Sequence, residues 1–93
     1  MRESSIIDKP FLSVAMITFN EERIIERTLS AIQYLADEII VIDSFSTDNT
    51  VNILKKFQVS LYQEQWKGYA LQKNSAIRKC LNSLRFMFFI FWL

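Results

Sequence analysis

The sequence predicts a parallel α/β fold, and three observations carry that prediction. Short apolar runs recur along the chain, bounded by polar turns. Segments with helical apolar spacing separate them. The most apolar run, Ile39-Ile40-Val41-Ile42, ends in the carboxylate of Asp43, and a hydroxyl- and amide-rich turn from Ser44 to Thr50 follows. Four mostly β-branched residues without alternation read as a strand buried on both faces, which is the habit of parallel sheets.

Taken in order, residues 1–10 form a lead-in that closes at Pro10. Leu12 to Thr18 is a largely apolar first strand, suited to a place inside the sheet. Asn20-Glu21-Glu22 starts a helix, with Asn20 as cap and two carboxylates in the first turn. Ile25, Leu29, Ile32 and Ala36 follow at spacings of four, three and four and form its buried stripe. The second strand is Glu38 to Asp43. A second helix, capped by Ser46 or Thr47, runs from about Thr47 to Phe57, buries Ile53, Leu54 and Phe57, and ends in Lys55 and Lys56. Val59 to Tyr62 alternates and predicts a half-exposed strand near a sheet edge. A loop with Trp66 and Gly68 leads to a third helix from about Tyr69 to Leu84, with Ile77, Cys80, Leu81 and Leu84 inward. Residues 11–84 thus make one domain with right-handed crossovers, and residues 85–93 an apolar tail or fourth strand.

Composition narrows the function classes. The 93 residues are 51% hydrophobic, enough for one modest core. The net charge of +1 gives no field that would gather nucleic acid. With no histidine and one cysteine, Cys80, an internal disulfide is excluded and a structural zinc site is close to excluded. That cysteine usage fits a reducing compartment, and the expected location is cytoplasmic. Glu3, Asp8 and Lys9 interrupt the N-terminus before a signal-peptide h-region could form. The tail from Phe86 to Leu93 is too short for a membrane-spanning helix, which takes about 20 residues.

Two phosphate-binding fingerprints fail. The dinucleotide motif needs three close glycines after the first strand, and the P-loop needs a second glycine and a Lys-Ser/Thr pair; this chain has Gly68 alone. What remains is a site of polar side chains at strand ends: Thr18, Asn20 and Glu21 after the first strand, Asp43 after the second. A carboxylate there can accept hydrogen bonds from ribose hydroxyls or a base N–H, and a lysine such as Lys73 can meet a diphosphate. Each residue also has a purely structural use. Asn20 suits a cap, Glu21 a helix-dipole partner, Asp43 a turn, and Lys73 a solvated helix face.

Three stretches carry a resemblance. Leu12 to Glu22, Ala36 to Thr50, and Trp66-Lys67-Gly68-Tyr69-Ala70-Leu71-Gln72-Lys73-Asn74 resemble, in that order, the N-terminal half of family 2 glycosyltransferases with the GT-A (Rossmann-like) fold. The third stretch is similar to the branch that builds lipopolysaccharide core and related bacterial glycans. The resemblance spans residues 11 to about 80. It implies a nucleotide-sugar donor, usually a UDP-sugar, with Thr18, Asn20 and Glu21 lining the nucleoside pocket, Asp43 facing the base and Lys73 near the base or diphosphate. It also implies Mg²⁺ or Mn²⁺ on the diphosphate and a membrane-associated acceptor at the cytoplasmic face.

The chain departs from that pattern in three places. Phe45 and Asn49 stand where glycine is usual, and Phe45 at φ > 0 would be strained. The family's metal-binding Asp-x-Asp motif and catalytic base lie further on, whereas no Asp or Glu follows Cys80. The expectation is therefore a truncated nucleotide-binding half, inactive as a transferase on its own. The tail has three readings: a buried fourth strand, a membrane-surface anchor, or an out-of-frame or truncated end. The last is preferred for its origin and the first for its packing; exposed, it would drive self-association. A receiver-type signalling module is the alternative fold-level reading, but it needs an aspartate after the third strand, and Val59 to Gln63 supplies none.

Overall fold

The computed structural model describes residues 12–80 in full and the backbone of residues 86–91. The lead-in and positions Leu81 and Leu84 of the expected third helix lie outside the described residues. The elements are β1 (Leu12–Thr18), α1 (Ile25–Ile32), β2 (Glu38–Asp43), α2 (Thr50–Leu54), β3 (Ser60–Gln63), α3 (Tyr69–Cys80) and β4 (Phe86–Phe91). The strands form one parallel sheet in the order β3-β2-β1-β4. The first strand is central, as its apolar run requires, and the tail supplies the fourth strand.

The register follows from burial. β1 and β2 pair from Ser13 with Glu38 to Thr18 with Asp43, so the strands end level. At the start of the pair, Asp37 accepts from the Leu12 N–H at 2.7 Å and Glu38 accepts from the Ser13 hydroxyl at 2.6 Å. One face of the sheet, with Val14, Met16, Ile39 and Val41, packs against Ile25 and Leu29 of α1 and Leu54 of α2. The other face, with Ala15, Ile40 and Ile42, packs against Ala76 and Cys80 of α3. A strand buried on both faces has no room for alternation, which is why β1 and β2 read as continuous apolar runs. Helices sit on both faces because the strand order reverses direction between β1 and β4. In such sheets the crevice at the reversal, outside the carboxyl ends of the strands, is where ligands bind.

Three local expectations are corrected. The first helix begins at Ile25, not Asn20; residues 22–24 form a turn in which the Ile24 and Ile25 N–H groups donate to the Glu21 carbonyl. Asn20 is not its cap, because its side chain is engaged with the next loop. The second helix spans only Thr50–Leu54, with neither Ser46 nor Thr47 as cap. The N-cap position is Asn49, which makes no side-chain cap bond, and Asp48 just before it accepts from the Thr50 N–H at 2.9 Å. The inner face of α3 is Gln72, Ser75, Ala76 and Cys80, with Ile77 only half-buried. Ala76 and Cys80 of that face pack on Ala15, Ile40 and Ile42 of the sheet, while the polar Gln72 and Ser75 reach past it to Ser44 and Glu64.

Phe45 has φ 57°, the left-handed conformation that an aromatic residue tolerates poorly, and its ring is exposed. Relief of that strain, less the extra unfolded-state entropy of glycine, leaves Phe45→Gly more stable by about 0.5–1 kcal/mol. Urea denaturation measures this directly, and a less stable glycine variant would show that the ring contributes packing that outweighs the strain.

Candidate functional site

Two loops leave the sheet side by side, residues 19–22 after β1 and residues 44–50 after β2. Their backbones no longer pair as strands, so side chains bridge them. The Asn20 N–H donates to Ser46 Oγ at 2.8 Å, while Asn20 Oδ1 accepts from the N–H groups of Thr47 and Asp48 at 2.8 and 3.3 Å. The Glu21 N–H donates to Thr50 Oγ1 at 2.7 Å. The Glu22 N–H donates to Asp48 Oδ2 at 3.2 Å, and Glu22 Oε1 accepts from the Asn49 N–H at 2.8 Å. Asn20 itself has φ 52°, which asparagine adopts more readily than most residues.

Asp43 lies beneath this zipper and is fully buried. Its Oδ1 accepts from Thr18 Oγ1 at 2.7 Å and Ser46 Oγ at 2.6 Å; its Oδ2 accepts from the Ser46 N–H at 2.8 Å and Gln63 Nε2 at 3.4 Å. Thr18 is equally buried. Asp48 is half-buried, and burial alone would raise its pKa. Hydrogen bonds from the Thr50 side chain and backbone and the Glu22 N–H outweigh that and hold it below its ordinary value.

Glu21 is different. It is 7% exposed, and its Oε2 is buried with no hydrogen-bond partner among the described residues. Burial raises its pKa, and the nearby Asp48 carboxylate adds to the rise. A carboxyl whose pKa is higher in the folded than in the unfolded chain favours folding while it is protonated. That contribution is lost as pH climbs from the unfolded value through the raised folded one. Glu21→Gln is therefore expected to be more stable than the parent by about 1 kcal/mol at neutral pH. The gain should shrink toward zero below about pH 4, where the parent is protonated too. Denaturation curves at the two pH values decide it; an equal gain at both would remove ionisation as the cause.

Beside these loops is an apolar cleft of about 530 Å³, lined by Phe19, Ser44, Trp66 and Tyr69. Trp66 and Tyr69 meet edge to face, with centroids 5.0 Å apart at 89°. Gly68 between them has φ 96°, and a Cβ there would meet nothing within 4 Å, so glycine is needed for the backbone turn and not for space. A smaller cleft of about 370 Å³, lined by Tyr34, Asp37, Lys56 and Phe57 among others, lies at the opposite, amino-terminal end of β2.

The loop that carries Trp66 is held to α3. Glu64 accepts from Ser75 Oγ at 2.8 Å and Lys79 Nζ at 3.0 Å, and its N–H donates to the Asp43 carbonyl at 3.0 Å. Lys79 also stands 4.8 Å from the Tyr62 ring centroid. Burial would raise the Glu64 pKa, but the bonds from Lys79 and Ser75 and the charges of Lys79 and Lys67 bring it below its ordinary value. Gln72, fully buried, donates to Ser44 Oγ at 3.1 Å and accepts from the Lys67 N–H at 3.3 Å.

The structure thus gathers Thr18, Asn20, Glu21 and Asp43 at the level ends of β1 and β2, and leaves Lys73 on the exposed side of α3. Sequence reasoning missed Phe19, Ser46, Thr50 and Gln72. For Gln72 a signal existed: Gln72, Ala76 and Cys80 recur every four residues. A polar residue at the first of these positions hid the inner face. Among the described residues no three His, Cys, Asp or Glu side chains form a metal-holding group. The described residues thus offer no cluster of their own to hold the divalent ion that the resemblance implies.

Comparison with known proteins agrees with this geometry. The chain is 39% identical over 71 residues to an uncharacterized glycosyltransferase of Rickettsia typhi, covering 76% of this chain and 24% of the relative. It is 32% identical over 80 residues to the lipopolysaccharide core biosynthesis glycosyltransferase LpsC of Rhizobium meliloti, covering 81% of this chain and 29% of that one. The chain thus spans about a quarter of the length of the curated relatives it matches. Glucosyl-3-phosphoglycerate synthase from Mycobacterium tuberculosis, solved with Mn²⁺, UDP and glucosyl-3-phosphoglycerate, superposes with a TM-score of 0.66 at 24% identity, over 94% of this chain and 35% of that one. This likeness shows the shared GT-A fold. A UDP complex of the same synthase gives a TM-score of 0.54 at 30% identity, over 63% of this chain and 23% of that one. The profile of glycosyl transferase family 2 matches residues 13–92, and the chain belongs to that family.

Proposed function

We propose that this chain binds the nucleotide of a UDP-sugar donor at the carboxyl ends of β1 and β2, as the donor half of a glycosyl-transfer site. The observation that carries this is the orphaned Oε2 of Glu21. The polar groups around it, on Asn20, Glu22, Asp48 and Thr50, are committed to the loop zipper. A buried acceptor without a donor is costly, and a ribose hydroxyl is a donor of the correct kind once the loop side chains over Glu21 part to admit it. The neighbouring cleft of Phe19, Trp66 and Tyr69 offers a planar base aromatic faces and edges to stack on. Thr18, Asn20 and Asp43 serve the ligand by shaping the loops: Asp43 reaches the base side of the site through Ser46. Lys73 supplies a cation toward the diphosphate. Support for the nucleotide comes from the UDP held by the Mycobacterium synthase of the same fold.

Transfer itself needs the leaving diphosphate neutralised and the acceptor hydroxyl deprotonated. With relatives about four times longer, donor binding is assigned to this chain, and transfer to a chain of their length. A divalent ion, a membrane-associated acceptor at the cytoplasmic face, and a place in lipopolysaccharide synthesis belong to that longer assignment. Self-association through β4, whose outer edge pairs with no described strand, is a further part of the proposal, and light scattering after sizing tests it. The nucleotide claim is tested by thermal melting with millimolar UDP. A ligand that binds only the folded chain raises the midpoint. No shift, and no heat on titration, would remove the proposal.

A further inference from the structure

We propose that Gln72 is a positioning residue for the donor base, the strut that holds the Trp66 wall of the aromatic cleft against its Ser44 wall. The inference rests on the nucleotide reading above and adds a residue to it. The cleft's walls come from three separate segments: Phe19 after β1, Ser44 after β2, and Trp66 with Tyr69 after β3. Backbone pairing holds the first two together, since the Ser44 N–H donates to the Thr18 carbonyl at 3.0 Å. The third segment leaves the sheet after Glu64, whose N–H still donates to the Asp43 carbonyl. Gln72 ties it back through one amide group, its Nε2 on Ser44 Oγ and its Oε1 under the Lys67 N–H, next to Trp66. The Gln72 N–H donates to the Gly68 carbonyl at 3.0 Å, so the strut is rooted in the first turn of α3. Glu64, bonded to Ser75 and Lys79, anchors the other end of the same loop. A full amide buried on the small, polar face of a helix is costly unless both ends are used, and here both are. Stacking energy depends on ring spacing, so loss of the strut should be read in base affinity first.

The test compares uridine 5′-monophosphate with ribose 5-phosphate, the same ligand without its base, on the full chain. The parent should bind the nucleotide more tightly than the sugar phosphate. Gln72→Met keeps the volume and removes both bonds; it is expected to cost about tenfold in nucleotide affinity and to leave sugar-phosphate affinity unchanged. Gln72→Glu keeps an acceptor for Lys67 and can accept from the Ser44 hydroxyl, so it should retain the preference for the base. A residue that only filled space would give the reverse order, with Met tolerated and Glu not. If Gln72→Met does not fold, Ser44→Ala removes one end of the strut and should cost about threefold, again only for the nucleotide. Equal losses for both ligands, or none, would overturn the positioning role while leaving the nucleotide reading intact. A parent that binds both ligands equally has no base in the cleft, and one that binds neither has no nucleotide site; in either case this inference falls as well.

Discussion

Asp43→Ala is expected to destabilise the chain by about 3 kcal/mol, the larger of the two effects argued in this section. The carboxylate is fully buried, and its two oxygens accept from the Thr18 hydroxyl, the Ser46 N–H and hydroxyl, and the Gln63 amide. Truncation strands those donors, and the Thr18 hydroxyl has no access to water. Asp43→Asn should cost less, about 1 kcal/mol, because hydroxyls can rotate to accept from an amide and one carbonyl oxygen remains. The contrast between the two variants in urea denaturation separates a hydrogen-bond hub from a residue needed for its charge. A cost for asparagine equal to that for alanine would point to charge.

Asn20→Ala should cost about 2 kcal/mol. Its Oδ1 is the acceptor for two backbone N–H groups of the second loop, at Thr47 and Asp48, and a side-chain acceptor for free backbone N–H groups contributes about 1 kcal/mol, as one does at a helix start. Alanine must also adopt the φ of 52°, which costs about 1 kcal/mol more than asparagine pays there. Asn20→Gly separates the two contributions: glycine loses the acceptor but accepts the backbone angle, so it should recover about half of the loss. If glycine is as damaging as alanine, the backbone angle is not a source of cost.

These two residues also show how far the sequence could be read. The strands were legible because a strand buried on both faces has to be apolar at every position, and β2 matches its expected bounds from Glu38 to Asp43. The central place of β1 followed from the same composition. The helix starts were not legible. Asn20, Glu21 and Glu22 look like a cap and first turn, and so do Ser46 and Thr47, because the residue types that satisfy free helix N–H groups are those that satisfy free loop N–H groups. Only the pairing of β1 with β2 brings the two loops together, with partners 26–29 residues apart in sequence, and local spacing carries no trace of that. The left-handed backbone at Phe45 could be foreseen from the usual glycine of the family; that at Asn20 could not. Of the candidate site, the level ends of β1 and β2 were foreseen. The isolation of the Glu21 carboxylate was not, since it depends on every neighbour being occupied.

The central claim is that a nucleotide seats on the carboxyl ends of β1 and β2, against Glu21 and the Phe19–Trp66–Tyr69 cleft. Backbone amide chemical shifts during a titration with UDP test it most directly. The account predicts shifts concentrated at Phe19 to Glu22, Ser44 to Asp48 and Trp66 to Gln72, with the Glu21→Ala chain responding only at higher nucleotide concentration. Shifts centred on Tyr34, Asp37 and Lys56, around the cleft at the other end of the sheet, or no shifts at millimolar UDP, would contradict it.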